Sequence, residues 1–520
     1  MMRTRMMVLA AVLALTIGTL TPLAARSQDK AQGTLTIGAG LLGGENLDPI
    51  SGPTSSQLYL QLMYDPVIAL DNQGLLSTKS GLVERWTSSS DAKVWTFYIR
   101  RGAKFHNGDP VTSEDVAFTM RRLGSDISRS GRKGFWKDNI LSLEPKDANT
   151  LVVRTTGTPL LPYLLSPGVG PDSYVVPKKY IERVGDKAFA AAPVGSGPYA
   201  FESQVIGDHI TFKAAAGHWR VGTPKYERMI FRLVRDDTAR LALLKTGRLD
   251  IGAVNGDMIG DMQGSGLEVV TDTNLEAGLA LFPNNQWDSS LPVANPKVRE
   301  ALLISINREE LAEKVFRGLA HAANSVVNAG DIAYSKSIEH SLKFDPARAR
   351  SLLKAAGYAN GFEINFWLSP RPGWPNPRTI AEAIAGYWQA IGVNAKIITA
   401  DYGAYRDRMA KRQLAGAIGG QLMLAQNWTV PFLNAITGTK GVISVSEDPT
   451  NDTLLKAALD APNLEAAKQA AQKAYRHVQE QYLVLPIVWV STSWAVQSKI
   501  GKWDVGMVPN GPSWEPLYTR

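Results

Sequence analysis

Residues 362–400 read FEINFWLSPRPGWPNPRTIAEAIAGYWQAIGVNAKIITA, and their pattern indicates the fold class. Residues 362–368 and 394–400 are rich in β-branched and aromatic residues and alternate apolar with polar side chains, as half-buried strands do. Between them, residues 379–392 repeat apolar side chains at helical spacing. A strand, a helix and a second strand in this order predict an α/β lobe.

The length of the chain indicates more than one such lobe. Single hydrophobic cores stop growing at about 250–300 residues, so 520 residues are expected to form two or three compact parts. A hydrophobic content of 44% and a charged content of 20% are typical of globular proteins. Because neither an internal repeat nor a low-complexity linker separates the parts, we expect several short crossings between the lobes.

The first 27 residues have the features of a secretory signal peptide. Arg3 and Arg5 precede the short apolar run MMVLAAVLALTIGTL, and a small-residue cleavage site follows. Cleavage is predicted before Gln28. No later stretch approaches 18 consecutive apolar residues, the length of a membrane-spanning helix. The expected destination is therefore outside the cytoplasm.

Cysteine usage and net charge indicate which cellular compartment and which classes of partner are expected. The chain contains no cysteine, so it has no disulfide and no thiol for lipid attachment. This predicts a protein free in the periplasm rather than a tethered lipoprotein. Removal of the signal peptide with its three arginines lowers the formal net charge from +8 to +5. The remaining cations are scattered, and no nucleic-acid partner is expected.

The glycine-rich stretch TLTIGAGLLGG, residues 34–44, matches the spacing of a dinucleotide-binding fingerprint at Gly38, Gly40 and Gly43. Such a site also needs a helix whose amino-terminal amides face the pyrophosphate. Pro49 and Pro53 stand where that helix would run, and proline inside a helix removes a backbone donor and clashes with the preceding turn. The stretch is therefore predicted to be a strand followed by a turn, without a nucleotide.

The chain offers no catalytic or metal-binding constellation at the level of sequence. The six histidines do not pair at ligand spacing, cysteine is absent, and no phosphate-binding loop ending in Gly-Lys-Ser/Thr occurs. The segment GSGPY, residues 195–199, lacks the order of a nucleophile elbow, and Pro198 blocks the helix that should follow the serine. We interpret it as a tight turn before a strand, and we expect no metal, no cofactor and no enzymatic activity.

Five segments in chain order resemble the family 5 extracellular solute-binding proteins of ABC importers, the dipeptide- and oligopeptide-binding type. The most characteristic is WTSSSDAKVWTFYIRRGAKFHNGDPVTSEDVAFTMRRL, residues 86–123. The others are PVGSGPYAFESQVIGDHITFKAAAGHW (193–219), RDDTARLALLKTGRLDI (235–251), NPKVREALLISINREELAEKVFRG (295–318) and DPARARSLLKAAGYANGFEI (345–364). The resemblance runs from the first predicted strand almost to the carboxyl terminus.

This resemblance implies an α/β fold of the two-lobed periplasmic-binding-protein type (type II-like), with an extra subdomain in the first lobe. After the signal peptide (1–27), residues 28–280 would form the first lobe, with the extra subdomain at about 53–190. Residues 281–491 would form the second lobe, and residues 492–520 would return to the first. In such proteins a monomer encloses a solute in the cleft between the lobes and presents it to an ABC permease at the inner membrane.

The resemblance also assigns a first part of the ligand site to the loop after the first strand. Gly40 and Gly43 would let the backbone approach the ligand closely because they carry no Cβ. Leu41 and Leu42 would supply apolar contacts. The alternative, a glycine-rich strand end that touches no ligand, remains open because glycine often only marks a turn.

A second part of the site is implied in the other lobe, within residues 369–397. Dipeptide-binding members carry an Arg-Pro-aromatic segment that grips the carboxylate end of the ligand. Transferred to this chain, Arg371 would clamp the carboxylate with two parallel hydrogen bonds, and Trp374 would form an aromatic wall. Gly373, inserted before the aromatic residue, departs from the family pattern. The alternative is an arginine in an exposed loop.

The chain departs from the peptide binders at one further position. These proteins pair an aspartate with the α-ammonium of the ligand, whereas residues 419–436 contain no acid and place Asn427 and Trp428 in that neighbourhood. A desolvated ammonium without a counter-charge costs several kcal/mol. Either Glu45, beside the glycine loop, replaces the aspartate, or the ligand has no free α-ammonium, as in an opine, a sugar acid, a blocked or modified peptide or another anionic solute. Trp428 and Trp374 would stack on rings of the ligand, whereas Trp388 lies on a helix face and is predicted to be a core residue.

We consider three alternative functions, each from a different class of protein. The first is a periplasmic receptor of an ABC importer, with a peptide or peptide-like solute as ligand and a non-peptide anion as the alternative. The second is an exported α/β hydrolase, which needs a nucleophile with a base in reach, and no motif supplies one. The third is a chaperone-like periplasmic protein, which would bind no small solute saturably.

Overall fold

The computed structural model describes residues 31–519, apart from residues 44, 52–53, 72–73, 131, 263, 341, 370–374, 401, 425–426 and 507–511. The predicted signal peptide lies outside this range. The strands, in chain order, are β1 (Thr34–Ala39), β2 (Ala69–Leu70), β3 (Leu76–Ser77), β4 (Val83–Ser88), β5 (Val94–Ile99), β6 (Ile140–Asp147), β7 (Thr150–Thr155), β8 (Tyr199–Val205), β9 (His209–Ala214), β10 (Arg228–Leu233), β11 (Ile251–Val254), β12 (Leu267–Pro283), β13 (Ala320–Ala322), β14 (Phe362–Leu368), β15 (Val393–Thr399), β16 (Ile418–Leu424) and β17 (Leu485–Gln497).

Helices are interspersed among these strands. In chain order they are α1 (Gln57–Met63), α2 (Ser113–Leu123), α3 (Lys133–Asn139), α4 (Leu161–Leu164), α5 (Lys178–Val184), α6 (Asp186–Ala191), α7 (Asp237–Lys245), α8 (Gly256–Ile259), α9 (Pro296–Ile304), α10 (Arg308–Lys314), α11 (Pro346–Ala355), α12 (Pro377–Gln389), α13 (Tyr402–Ala410), α14 (Val430–Thr437), α15 (Pro449–Leu459), α16 (Leu464–Glu480) and α17 (Glu515–Tyr518).

Helix starts follow the sequence signals at several places. Thr112 and Asp115 form the capping box of α2. The Asn307 side chain accepts the Glu310 N–H at the start of α10, and the Asp345 side chain accepts the Arg348 N–H at the start of α11. Each cap satisfies an amide that the first helical turn leaves without a backbone partner. These predictions are confirmed.

One long sheet runs through the whole molecule in the order β15-β14-β16-β12-β17-β11-β1-β10-β9-β8, and β13 pairs with β17 off this path. We call the part around β1–β3 and β8–β11, together with α4, the first lobe, and the part around β13–β16 the second lobe. Strands β12 and β17 belong to both, since β17 pairs with β11 near one end and with β13 near the other. The predicted lobe boundary at 280/281 falls inside β12, and the predicted lobe limits remain expectations.

The β12–β17 ladder contains an irregularity between the lobes. Asp272 pairs with Thr492 and Glu276 with Ser491, so three residues of β12 face a single step of β17. Such a bulge bends a strand and interrupts its ladder of hydrogen bonds. The crossing strands are therefore least regular where the two lobes meet, close to the predicted return at 491/492.

A separate antiparallel sheet of order β4-β5-β7-β6 stands beside the first lobe. It has its own hydrophobic cluster, in which Phe97, Val116 and Leu151 are fully buried, together with α2. This sheet lies within the extra subdomain that the family resemblance implies at about 53–190.

Two glycines of the opening stretch have packing roles in this fold. A Cβ on Gly38 would lie 2.5 Å from Leu249 Cδ1 and 3.3 Å from Arg240 Cγ, so glycine lets α7 pack closely on β1. Gly43 has a φ of +59°, and a Cβ there would lie 2.7 Å from Ser56 Oγ. Both requirements are met without a ligand. The described residues between β1 and α1 form turns and one 3-10 turn, as the prolines predicted.

Candidate functional site

The first position at which the fold favours a ligand site is the sheet edge at the carboxyl end of β1. Strand β1 pairs in parallel with β10 on one side and with β11 on the other. After β1 the chain forms β10 on one side of that strand and then crosses over it to form β11 on the other side, which defines a topological switch point. Ligands of open α/β sheets bind in the crevice outside the carboxyl ends of the strands at such a point. The loop that begins at Gly40 occupies this position.

The second lobe repeats the arrangement. Strand β14 lies between β15 and β16 and is parallel to both. Its carboxyl end is followed by residues 369–376, which precede α12, while the carboxyl end of β16 leads to residues 425–429. These are the two segments in which the sequence predicted Arg371, Trp374, Asn427 and Trp428.

Strand directions show that the two edges face each other. Strand β17 is antiparallel to both β11 and β12, so β11 and β12 run the same way, from the first lobe toward the second. Strand β16 is antiparallel to β12 and therefore runs from the second lobe toward the first. The carboxyl ends of the parallel strands in both lobes thus point into the space between the lobes.

Asn427 makes a direct contact across this space. Its side-chain Nδ2 donates a hydrogen bond to the main-chain oxygen of Gly74, in the β2–β3 turn, over 2.5 Å. Its Oδ1 lies against Gly168, where a Cβ would come within 2.7 Å of that oxygen. Asn427 is only 5% exposed. The predicted site residue is therefore a contact between the lobes in this structure.

An apolar contact accompanies the Asn427 contact. Leu160, which directly precedes α4, belongs to the same hydrophobic cluster as Trp428, Val430 and Leu433 of the second lobe, and Tyr163 packs against that cluster. The α4 segment of the first lobe therefore closes on the second lobe next to Asn427.

The residues of the loop after β1 lie partly at the protein surface and partly in the core of the first lobe. Gly40 and Leu41 lie at the surface, with Leu41 47% exposed. Leu42 is 1% exposed and packs in the core of the first lobe, because the turn at Gly43 directs it inward. Of the two leucines expected to contact ligand, Leu41 is thus accessible and Leu42 supports the loop from beneath.

Glu45 is engaged with another part of the first lobe. One carboxylate oxygen accepts the Gly207 N–H at 2.8 Å, and its main-chain oxygen accepts Nε2 of Gln204 at 2.8 Å. Both partners belong to the β8–β9 hairpin. The carboxylate stabilises this hairpin against the loop, so its position in the structure differs from that of a counter-charge directed into the cleft.

Trp428 lies in the core of the second lobe with 1% exposure. Its indole therefore has no open face for stacking on a ligand in this conformation, unlike the predicted role. Trp388 is fully buried and donates its Nε1–H to the main-chain oxygen of Leu302 at 3.0 Å, which confirms the prediction of a core residue. Arg371 and Trp374 lie outside the described residues.

The structure adds Asp331, a residue that the sequence did not suggest. Asp331 is 3% exposed and accepts the Thr429 N–H at 2.7 Å, two residues after Asn427. Desolvation raises the pKa of this carboxyl group from its usual value of 3.8 to about 6. Asp331 is about 100 residues away in sequence and belongs to no motif, so no sequence signal connects it with Asn427.

The GSGPY segment is a turn, as predicted. A Cβ on Gly195 would lie 1.9 Å from the Met63 oxygen, and one on Gly197 would lie 2.5 Å from the Leu62 oxygen, so both glycines admit the end of α1. Ser196 is 2% exposed and accepts the Asp65 N–H at 3.4 Å. Strand β8 begins at Tyr199. The serine is a buried structural residue, which does not support the hydrolase alternative.

The described residues offer neither a metal-binding cluster nor a membrane-spanning helix. They contain no group of three or more histidine, aspartate and glutamate side chains arranged to hold a metal ion. In the same part of the chain, every helix is too short or too polar to cross a lipid bilayer.

Comparison with known families identifies the class of protein. Residues 77–442 match the bacterial extracellular solute-binding proteins, family 5 Middle. The match spans more than half of the chain, and the chain therefore belongs to this family. The resemblance inferred from the sequence is confirmed.

Several characterised relatives share large parts of the chain. Heme-binding protein A from Haemophilus influenzae is 26% identical over 461 residues, which cover 84% of this chain and 83% of that protein. The glutathione-binding protein GsiB from Salmonella choleraesuis is 30% identical over 366 residues, covering 69% and 68%. Di/tripeptide-binding protein 1 from Pseudomonas aeruginosa is 27% identical over 351 residues, covering 63% and 64%.

Solved structures share the fold. The binding protein MoaA from Agrobacterium tumefaciens, in complex with mannopinic acid, has a TM-score of 0.76 at 24% identity, covering 93% of this chain and 98% of its own. A dipeptide-binding protein from a Pseudoalteromonas species, in complex with Met-Leu, has a TM-score of 0.78 at 22% identity, covering 93% and 99%. The predicted α/β periplasmic-binding-protein fold is thereby confirmed.

Proposed function

We propose that this protein is the substrate-binding component of an ABC importer, which captures a peptide or peptide-like solute between its lobes and delivers it to a membrane permease. The observation that carries the proposal is the pair of switch-point edges that face each other across the β12–β17 crossing. A solute held there touches both lobes, so its binding energy favours the closed arrangement over the open one. Recognition of the closed shape by a permease would then couple capture to transport.

The proposed ligand contacts come from both edges. The half-buried Gly40 would supply backbone groups and the exposed Leu41 an apolar surface from the first lobe. Arg371 and Trp374, in the loop after β14, would supply a carboxylate clamp and an aromatic wall from the second lobe. A guanidinium forms two parallel, charge-assisted hydrogen bonds with a carboxylate, which makes an anionic end group the expected anchor.

A specific observation favours the second candidate, an anionic solute without a free ammonium group. The Glu45 carboxylate accepts the Gly207 N–H, and the Asp331 carboxylate is buried among three donors. Both carboxylates already accept hydrogen bonds from the protein, and Asp331 is too deeply buried to meet a ligand ammonium in this conformation. Sugar acids and opines present carboxylates without a primary α-ammonium group, and mannopinic acid is the ligand of MoaA.

We also propose that the chain acts as a monomer without catalytic activity, in the periplasm, after removal of residues 1–27. The family comprises extracellular binding proteins, and the sequence carries the three regions of a signal peptide. Amino-terminal sequencing of the exported protein would test this, since a new terminus at Gln28 is expected.

The binding proposal is tested with the mature chain, residues 28–520. Isothermal titration with Met-Leu, glutathione, heme and mannopinic acid should give saturable binding of at least one class, and small-angle scattering should show a more compact protein when that solute is bound. Asn427→Ala should weaken the binding, whereas Asn360→Ala, at an exposed asparagine of the second lobe, should not. Hydrolysis of any of these solutes, or identical scattering curves with and without a bound solute, would contradict the proposal.

A further inference from the structure

The carboxylate of Asp331 is the centre of a buried hydrogen-bond group in the second lobe. Its Oδ2 accepts the Thr429 N–H at 2.7 Å and the Tyr475 hydroxyl at 3.1 Å, and its Oδ1 accepts the Ala333 N–H at 2.8 Å. The three donors come from the loop before α14, from α16 and from the loop of Asp331 itself. A buried carboxylate with three donors holds all of them in fixed positions.

A main-chain bond lies beside this group. The Ile332 N–H donates to the main-chain oxygen of Asn427 at 2.9 Å. The segment 427–429 is therefore attached to the loop 331–333 at both of its ends, once through Asn427 and once through Thr429. Trp428 lies between these two attachments and is buried. The segment cannot shift without loss of at least one of these bonds.

This attachment determines where the Asn427 side chain points. The amide group of Asn427 reaches the Gly74 oxygen of the first lobe, and Gly168 lies against its other side. A displacement of about 1 Å at the segment would bring the donor beyond ordinary hydrogen-bond distance. The hydrogen bonds of the Asp331 carboxylate all lie within the second lobe, and its effect on the contact with the first lobe passes through the backbone of Thr429.

We propose that Asp331 is a positioning residue for solute capture: its ionised carboxylate fixes segment 427–429 so that Asn427 bridges the lobes, and lobe closure and solute affinity depend on that ionisation. The affinity part of this inference rests on the proposed function, since it assumes that the solute binds between the lobes. The positioning part concerns the protein alone.

The ionisation of Asp331 falls in an accessible pH range. Burial disfavours the charged form and raises the pKa of Asp331 to about 6. Of the three groups that donate to the carboxylate, only Tyr475 is titratable, and burial raises the pKa of Tyr475 well above its ordinary value of 10. Asp331 therefore titrates alone in this group. Above about pH 6 the carboxylate accepts all three donors, and below it the added proton removes one acceptor position.

The test compares Asp331→Asn with the wild type and with Asp345→Asn. Asp345 also accepts a backbone N–H in the second lobe, but as the cap of α11, where asparagine caps equally well. Because the chain contains no cysteine, Lys79→Cys and Lys440→Cys place spin labels on the two lobes without further changes. Hydrogen exchange of residues 427–430 and the distance between the labels report on the segment and on closure without any ligand.

The expected result at pH 7.5 is faster exchange at 427–430 and a broader, longer label distance in Asp331→Asn, with Asp345→Asn unchanged. Met-Leu and mannopinic acid serve as probes of affinity. For the probe that binds, the wild type should lose about tenfold in affinity between pH 7 and pH 5, while Asp331→Asn should be weak at both pH values. Titrating histidines affect the affinity of the wild type and of the variant equally. The difference between the two pH profiles of affinity therefore reports the contribution of Asp331.

Two outcomes would overturn the inference. In the first, hydrogen exchange and label distances in Asp331→Asn equal those of the wild type; in the second, the affinity of this variant depends on pH in the same way as that of the wild type. If Asp331→Asn does not fold, Tyr475→Phe keeps the carboxylate and removes one donor, and it should shift exchange and distance in the same direction by a smaller amount. If neither probe binds the wild type, the proposed function fails for these ligands, while the exchange and distance measurements still decide the role of Asp331.

Discussion

Gly168 offers a direct test of the contact between the lobes. Gly168→Ala adds a Cβ that would lie 2.7 Å from Asn427 Oδ1, 2.9 Å from Asn427 Cγ and 3.2 Å from Leu70 Cδ1. Gly168 has no positive φ, so alanine fits its backbone. Carbon atoms in contact prefer separations of about 3.5–4.0 Å, and Asn427 must therefore move by roughly 1 Å or the lobes must separate. The substitution acts only where the lobes meet.

The size of the expected effect follows from the hydrogen bond that Asn427 loses when its side chain is displaced. Its hydrogen bond to Gly74 contributes about 1 kcal/mol, and a buried polar group left without a partner costs about 1–3 kcal/mol. We expect the closed state to be destabilised by about 1–2 kcal/mol, which is a factor of roughly 5–30 in the closed population. Solute affinity should fall by up to the same factor, since only the closed state holds the solute in both lobes.

The assay is isothermal titration with the solute that binds, together with small-angle scattering of the ligand-free protein. The matched control is Gly134→Ala, where a Cβ meets no atom within 4 Å. In an Asn427→Ala background, Gly168→Ala should have little further effect, because the clashing side chain is gone. Unchanged affinity and scattering in Gly168→Ala, with the control also unchanged, would refute the view that this contact governs closure.

Three further substitutions test the site and the fold. Arg371→Ala should weaken the binding of an anionic solute by about 2–5 kcal/mol in titration, and a change below tenfold would reject the carboxylate clamp. Arg122→Ala leaves the Asp48 carboxylate buried without the guanidinium that now donates to it at 2.7 and 3.2 Å, and urea unfolding should show a loss of about 3–5 kcal/mol. Gly38→Ala should cost about 1–3 kcal/mol in the same experiment, because its Cβ would overlap Leu249; an unaltered unfolding midpoint would show that the Leu249 side chain moves aside freely.

The contacts of the predicted site residues differ in part from the roles that the sequence predicts for them. Family position alone predicts Asn427 at the site, and the structure gives it a contact that the sequence does not supply, since Gly74 and Gly168 are more than 250 residues away. Glu45 and Trp428 were assigned to a ligand, yet one bonds to Gly207 and the other is buried. Burial and side-chain direction depend on distant segments, which a local pattern does not contain.

The sequence by itself determined the alternation of strands and helices, the helix caps, the absence of disulfides and the family. These features arise from the spacing of apolar residues and from side chains that bond to amides a few residues away, so neighbouring positions are sufficient to define them. Only the tertiary structure decided which two sheet edges face each other, that Asn427 joins the lobes and that Asp331 holds it. Strand direction across the sheet and desolvation of a carboxylate result from contacts between segments far apart in the chain, and these exist only in the folded protein.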